Sequence, residues 1–275
     1  MAGTLYVVAT PLGNLGDLSP RAADTLKRVS AVAAEDTRHS KPLLNHAGSR
    51  AELISFHAHS SERALDRILR ILQEGRDVAL ITDAGTPAIS DPGVALVAGA
   101  RERGIEVVTI PGPTAVAASL SVSGIGGDRY LFLGFLPRKG SDRRRLLLTA
   151  ASSEWTVVLF ESPNRVTQLL TDLIDVCGPE REVAVSRELT KVFEETRAGT
   201  LQELSEHYAE AAVRGEVTVV LSGTGKPREE ERPPDPAERA KALLEEGLSR
   251  KDAAERLAEE TGISRNSAYR LVNEL

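Results

Sequence analysis

The stretch Asp77–Ile110, DVALITDAGTPAISDPGVALVAGARERGIEVVTI, decides the fold. It opens and closes on short apolar, β-branched runs, Asp77–Thr82 (DVALIT) and Ile105–Ile110 (IEVVTI), which read as buried strands. Pro92–Arg103 between them reads as a helix. Two strands joined through a helix lie parallel in one sheet, the mark of an α/β domain. The loop after the first strand, Thr82–Gly93 (TDAGTPAISDPG), holds two Gly, two Pro and two Asp in twelve residues. In an open α/β sheet, ligands sit at the carboxyl ends of the strands. Small residues there leave backbone N–H and C=O groups accessible, so the segment is read as a ligand loop rather than a plain turn.

The same alternation extends in both directions. Upstream, Thr4–Ala9 (TLYVVA), Ala31–Glu35 and Leu53–Phe56 read as strands. Ser19-Pro20 opens a helix, with Ser as cap and Pro at the first helical position. A further helix from about Ser61 to Glu74 stops at Gly75. Pro111-Gly112-Pro113 breaks the pattern. Strands then resume at Tyr130–Phe135, Thr156–Phe160, Glu182–Leu189 and Glu216–Ser222, with helices from about Ser141 and Pro163. Gly223–Pro236, rich in charge and proline, reads as a linker. The remaining residues are helical in pattern. Ser249 and Ser264 are caps for two helices separated by Thr261-Gly262-Ile263, the plan of a helix-turn-helix. The expected organisation is an N-terminal α/β domain over 1–112, a C-terminal α/β domain over 113–226, a linker over 227–235 and a small helix-turn-helix-like domain over 236–275.

Composition narrows the classes. The 275 residues carry 34 Lys plus Arg against 40 Asp plus Glu, a net charge of -6, so any nucleic-acid surface must be local. At 41% hydrophobic the chain has ample material for a core. A single Cys excludes a disulfide framework and a thiolate zinc cage. No apolar run approaches the ~18 residues of a membrane span, and no basic leader opens the chain, so a cytoplasmic protein is expected. No further candidate ligands accompany His57 and His59 in the sequence, and no metal is expected. Ser222–Pro227 (SGTGKP) lacks the upstream Gly and the Ser/Thr of a phosphate loop. Gly124-Ile125-Gly126-Gly127 does not follow a strand, which excludes a dinucleotide fingerprint.

Several other segments carry chemistry. Ala9–Pro20 (ATPLGNLGDLSP) is long for a strand–helix loop, where about 2–6 residues is usual. Pro111–Ala115 (PGPTA) heads a small-residue helix whose first N–H groups are free. Asp36, in Glu35-Asp36-Thr37-Arg38, reads either as a general base at a strand end or as a helix cap. Arg138–Arg145 (RKGSDRRR) is the strongest basic cluster, with five bases against one acid. Past a strand end, it reads as a flexible grip on RNA phosphates or as a solvated charge run. Glu161–Arg165 and Arg187–Lys191 place charges at one rim of a second sheet, lining a trough or serving as caps and ion pairs. In the tail, Arg265, Asn266, Tyr269 and Arg270 would face nucleic acid in a helix-turn-helix reading. From Pro234 onward, however, nine acids outnumber seven bases.

Seven motifs in this order, ATPLGNLGDLSPRA, AEDTRHS, DAGTPAISDPG, PGPTA, GFLPRKG, ESPNRV and RELTKVFEE, resemble the tetrapyrrole-methylase superfamily over essentially the whole chain. Within it they resemble the branch that methylates a ribose 2′-hydroxyl of 16S ribosomal RNA. The resemblance implies two α/β domains with S-adenosylmethionine in the cleft between them, and a homodimer. It implies cofactor contacts at Pro11, Asp83, Ala84, Gly85, Ile89, Thr114 and Ala115, with the neighbourhoods of Glu161 and Leu189 added from the second domain. Precorrin-modifying relatives carry a GGDP-like sequence where this chain has Ala84-Gly85-Thr86-Pro87, which favours the ribosomal branch. That branch acts on a cytidine, position 1402 in the usual rRNA numbering, in the 30S subunit. Asp36 is the first candidate base, with Glu188 and Lys191 behind it. Arg138, Lys139, Arg143, Arg144, Arg145 and Arg165 are the candidate RNA contacts. A tetrapyrrole small-molecule methyltransferase and a non-enzymatic helix-turn-helix regulator are the alternatives.

Overall fold

The computed structural model describes residues 2–57, 62–91, 93–210, 214–224, 236–246, 248–261 and 263–274. The expected linker over 227–235 lies outside the described residues, as do His59, Pro92 and Gly262. The chain forms two compact units, Met1–Thr224 and Gly225–Leu275.

The first unit opens with a parallel sheet. Its strands are β1 (Thr4–Val8), β2 (Ala31–Ala34), β3 (Glu52–Ser55), β4 (Val78–Ile81) and β5 (Glu106–Ile110), in the order β3-β2-β4-β1-β5. Helices α1 (Pro20–Arg28), α2 (Thr37–Ala47), α3 (Glu62–Gln73) and α4 (Val94–Glu102) make the crossovers. β2 and β4 are buried at every position, as continuous apolar strands covered on both faces must be. Their alternation feeds two cores. Ala31 and Ala33 join Ile68, Leu72 and Leu96 on one face, while Val32 and Ala34 join Leu26, Leu43 and Leu44 on the other. Fully burying each such Leu or Ile contributes about 1.5–3 kcal/mol. Ser19 caps α1 through the Ala22 N–H at 3.1 Å, with Pro20 at the helix start. The loops after β1 and β4 leave adjacent strands in opposite directions, which opens a crevice at their carboxyl ends.

The second sheet is mixed, where resumed α/β alternation suggests more of a parallel one. Helix α5 (Ala115–Ser123) leads into β6 (Tyr130–Phe135), α6 (Ser141–Ser152), β7 (Thr156–Glu161), a short 3-10 turn (Pro163–Arg165), α7 (Val166–Cys177) and β8 (Glu182–Arg187). Strand β9 (Glu195–Thr200), α8 (Leu201–Glu210) and β10 (Val217–Leu221) complete it, in the order β6-β7-β10-β8-β9. Only β6 and β7 pair in parallel; β10 runs antiparallel to β7 and β8, and β8 to β9. The β8–β9 connection is too short for a helical crossover, which forces a hairpin. Strand β9 (ETRAGT) has no apolar alternation to betray it. It is an edge strand held by its partner's backbone.

The second unit is three helices, α9 (Pro236–Glu245), α10 (Arg250–Thr261) and α11 (Arg265–Glu274), around Leu243, Ala253, Ala254, Leu257, Ala268 and Val272. Ser249 and Ser264 accept from the Asp252 and Ser267 N–H groups, both at 3.2 Å, so both serine caps form.

Candidate active site

Between the two sheets of the first unit lies a cavity of about 400 Å3. Seven segments wall it. Leu12 comes from the loop after β1, and Ala84, Gly85, Thr86, Ile89, Ser90 and Asp91 from the loop after β4. Thr114 and Ala115 start α5. Phe135, Phe160, Glu161, Ser162 and Pro163 come from the carboxyl ends of β6 and β7. Lys191 and residues 215–218 close the far side.

Backbone bonding fixes this assembly. Thr10 and Gly85 exchange N–H···O bonds of 2.8 and 3.1 Å, which ties the first loop to the second. The Thr10 hydroxyl donates to the Thr82 carbonyl at 3.1 Å. Across the cleft, the Asn14 N–H donates to the Thr190 hydroxyl at 3.1 Å. Gly13 lies so close to Lys191 that a Cβ there would overlap its side chain. The non-glycine residues with positive φ among those described are Ala88 and Ser90 (68° and 61°) on one wall and Glu188 and Thr190 (52° and 66°) on the other. Each such conformation costs of order 1–3 kcal/mol, and they gather at ligand-handling loops.

Charge in the cleft is mostly negative. Glu161 is 1% exposed. Its Oε1 accepts from the Ser162 N–H at 2.8 Å, while its Oε2 makes no hydrogen bond, although Arg165 Nη2 lies within ion-pair distance at 3.3 Å. Asp91 is half-buried opposite. Desolvation raises its carboxyl to about 6, helped by Glu35, Glu216 and Asp83 and opposed by the Thr82 hydroxyl. That hydroxyl also donates to Glu35 Oε2 at 2.9 Å, so two carboxyls share one proton donor. Lys191 Nζ bonds Glu188 Oε1 at 2.9 Å.

Of the residues singled out from sequence, Ala84, Gly85, Ile89, Thr114, Ala115, Glu161 and Lys191 line the cavity. Pro11 and Asp83 sit beside wall residues without lining it, and Leu189 lies between Glu188 and Thr190. Asp36 does not line it either. It caps α2, accepting from the Arg38 N–H at 2.8 Å, and its second oxygen holds the Arg38 guanidinium at 2.9 Å. Those hydrogen bonds hold its carboxyl far below the usual range, and its observed place is the helix-cap alternative of the two read from the sequence. The basic run spans the start of α6, the helix expected from about Ser141. Arg143 is 8% exposed, paired with Asp172 and bonded to the Pro137 carbonyl at 3.1 Å. Arg165 turns inward to Glu161 and the Leu136 carbonyl. Arg138, Lys139 and Arg144 are exposed, and Arg145 pairs loosely with Asp142 at 3.5 Å. Sequence reasoning missed Asp91, although it lies in the quoted loop. It also missed Phe135 and Phe160, whose positions at strand ends were the available signal. Glu216 carried none.

The sequence model of the Tetrapyrrole (Corrin/Porphyrin) Methylases matches residues 4–205. The chain belongs to the tetrapyrrole methylase family. It is therefore an S-adenosylmethionine-dependent methyltransferase by family, with the two-sheet fold that the family shares. The chain is 44% identical over 277 aligned residues, 99% of its length and 98% of the relative's, to "Ribosomal RNA small subunit methyltransferase I" of Synechocystis sp.. A Pseudomonas aeruginosa protein of the same name is 45% identical, over 98% and 96% of the two chains. Among solved structures, a uroporphyrin-III C-methyl transferase from Thermus thermophilus, complexed with S-adenyl homocysteine, shares the fold. The TM-score is 0.58 at 19% identity, covering 79% of this chain and 97% of that one. No helix among the described residues is long and apolar enough to cross a membrane, and no cluster of three or more metal-ligating side chains occurs among them.

Proposed function

We propose that this protein transfers a methyl group from S-adenosylmethionine to the ribose 2′-hydroxyl of the cytidine at position 1402 of 16S ribosomal RNA. The substrate class rests on one observation. Similarity to proteins named for ribosomal RNA runs at 44–45% through nearly the whole chain, tail included, whereas the tetrapyrrole enzyme compared above shares only the fold. The reading places the work in the cytoplasm, with 30S subunits as partner and a homodimer as the assembly.

The cavity suits the cofactor. Its volume falls in the ~300–1,000 Å3 range of small-molecule sites. Glu161 and Glu216 give the walls a charge that complements a sulfonium and an ammonium group. The start of α5 at Thr114 has no side-chain cap, so its N–H groups are open to a carboxylate. Phe135, Phe160 and Leu12 supply apolar wall for an adenine ring. When bound, S-adenosylmethionine supplies an activated methyl on sulfur, and the remaining work belongs to the protein. It must hold a ribose oxygen in line, an effect worth several kcal/mol. As that oxygen gains the methyl it loses its proton, and Asp91 takes the proton in this reading. A carboxyl near 6 is ionised at neutral pH yet far more basic than Asp36. Such a base contributes about 10²- to 10⁴-fold. Arg138, Lys139 and Arg144 hold phosphates outside the cleft.

The test is transfer of labelled methyl to 30S subunits lacking their native modifications, followed by nuclease mapping. Label on the ribose of that cytidine is the expected result. No label on 30S subunits or free 16S rRNA, with S-adenosylmethionine still bound, overturns the substrate. Turnover of a corrinoid precursor instead would move the protein to the small-molecule branch of its family.

A further inference from the structure

The turn between β8 and β9 carries an apolar pair that the fold does not use. Val192 is 93% exposed and Phe193 72% exposed, the two largest values among the exposed large hydrophobic residues described. The turn that presents them is firmly built. The Lys191 N–H bonds the Glu188 carbonyl at 2.9 Å, and the Glu194 N–H bonds the Lys191 carbonyl at 3.1 Å. Glu194 also accepts from the Thr190 N–H, and Arg187 pairs with Glu195 at the base of the hairpin. Lys191, two residues before Phe193, lines the cavity. An aromatic side chain is thus held in water at the cavity's edge by a turn whose own acids are already engaged.

We propose that Phe193 is a stacking platform for an unstacked nucleobase of the RNA substrate. A ribose oxygen reaches the bottom of a cleft only if its nucleotide leaves the neighbouring stack, and RNA-binding proteins re-stack such bases on aromatic side chains. The size of the feature argues for a base rather than a protein. A stable protein interface buries about 800 Å2 on each partner. Two side chains flanked by Lys191 and Glu194 fall well short of that, while a single ring matches one base. Charge argues the same way. Phe135 lines the cavity from the opposite strand end, and the exposed Arg138 and Lys139 follow it within four residues. Phosphates on that rim and a base on Phe193 leave the ribose between them. This inference rests on the RNA reading of the cleft.

The experiment measures methyl transfer to undermodified 30S subunits by wild type, Phe193→Ala and Phe193→Tyr, with S-adenosylmethionine affinity and sedimentation run on each. Alanine is expected to raise the RNA KM between about five- and 150-fold, the range for loss of one stacked base. Tyrosine is expected to stay within about threefold of wild type. Cofactor affinity and assembly state stay unchanged. In a Trp155→Phe, Phe193→Trp variant, whose only tryptophan is the new one, RNA oligonucleotides are expected to quench fluorescence. An unchanged KM in Phe193→Ala overturns the platform. So does a change in assembly state, which would make the tip a contact between copies of the chain. A wild type that methylates no RNA fails the RNA reading itself, independently of Phe193.

Discussion

Replacing Asp91 by asparagine tests whether the cleft keeps a costly carboxylate for its chemistry. The carboxyl rises from 3.8 to about 6 in the fold, chiefly through desolvation and the facing Glu35. At about 1.36 kcal/mol per pH unit, that difference amounts to roughly 3 kcal/mol. The group is only half-buried, and solvent screening reduces the figure to about 1.5 kcal/mol. The sign follows from linkage. The folded state prefers the neutral acid, so this contribution is fully present below pH 3.8 and is lost as pH rises through about 6. An amide in its place has nothing to ionise. Asp91→Asn should therefore match wild-type stability near pH 4 and exceed it by about 1.5 kcal/mol at pH 8, roughly 3–6 °C in Tm for a unit of this size. The same variant should lose about 10²- to 10⁴-fold in kcat with S-adenosylmethionine affinity retained. Wild-type kcat should fall as pH drops through about 6. The assays are thermal unfolding across pH and single-turnover methyl transfer to 30S subunits. A variant that turns over normally refutes the base. One whose stability advantage is no larger at pH 8 than at pH 4 refutes the desolvation argument beneath it.

Asp36→Ala should lower Tm through loss of the α2 cap, while single-turnover rates stay at the wild-type value. Arg143→Ala should destabilise the protein by about 1.5–3 kcal/mol in a denaturant titration, because part-buried Asp172 would keep only the Gln168 amide. In contrast, the triple exchange of Arg138, Lys139 and Arg144 to Glu should leave stability within about 0.5 kcal/mol. It should weaken RNA binding and flatten its dependence on salt, measured by filter binding at several ionic strengths. Gly215→Ala should cost about 1–2 kcal/mol for a positive φ of 78° alone. Its Cβ would also displace Glu188 from Lys191, so the RNA KM should rise as well, and a normal KM would separate that ion pair from function.

The first sheet was legible because its inner strands β2 and β4 are apolar throughout and α1 and α2 carry their own caps. Ser19-Pro20, the DVALIT and IEVVTI runs and Gly75 each have a local physical reason, and the parallel topology follows from their alternation. The second sheet was legible as elements but not as directions. The antiparallel place of β10 depends on what lies on either side of it, and β9 gains its strand conformation from pairing rather than from its own residues. The cavity wall was legible where glycine and proline cluster, at Ala84, Gly85, Thr114 and Ala115. Charged residues were harder to place. Asp36, Arg143 and Asp91 each sit in a motif, and composition cannot tell a cap, a buried pair and a cavity carboxylate apart. Only the partner decides: Arg38 for the first, Asp172 for the second, Thr82 and Glu35 for the third.

Backbone strain separates the structural use of these loops from a functional one. A strand–helix connection needs no left-handed alanine or serine, because glycine adopts that conformation without a side-chain penalty. Yet Ala88, Ser90, Glu188 and Thr190 all adopt it, two on each side of the cleft. The side chains carried at that cost are in use. Ser90 lines the cavity, and its hydroxyl occupies the space a Cβ on Gly134 of β6 would need. Glu188 holds Lys191, and Thr190 receives the Asn14 N–H from the opposite sheet's loop. Each strained residue with a side-chain partner thus sits where one half of the cleft meets the other or where Lys191 is aimed. Among the described residues, positive φ outside glycine is confined to these loops, which puts the strained side chains of this chain at the meeting of the two sheets.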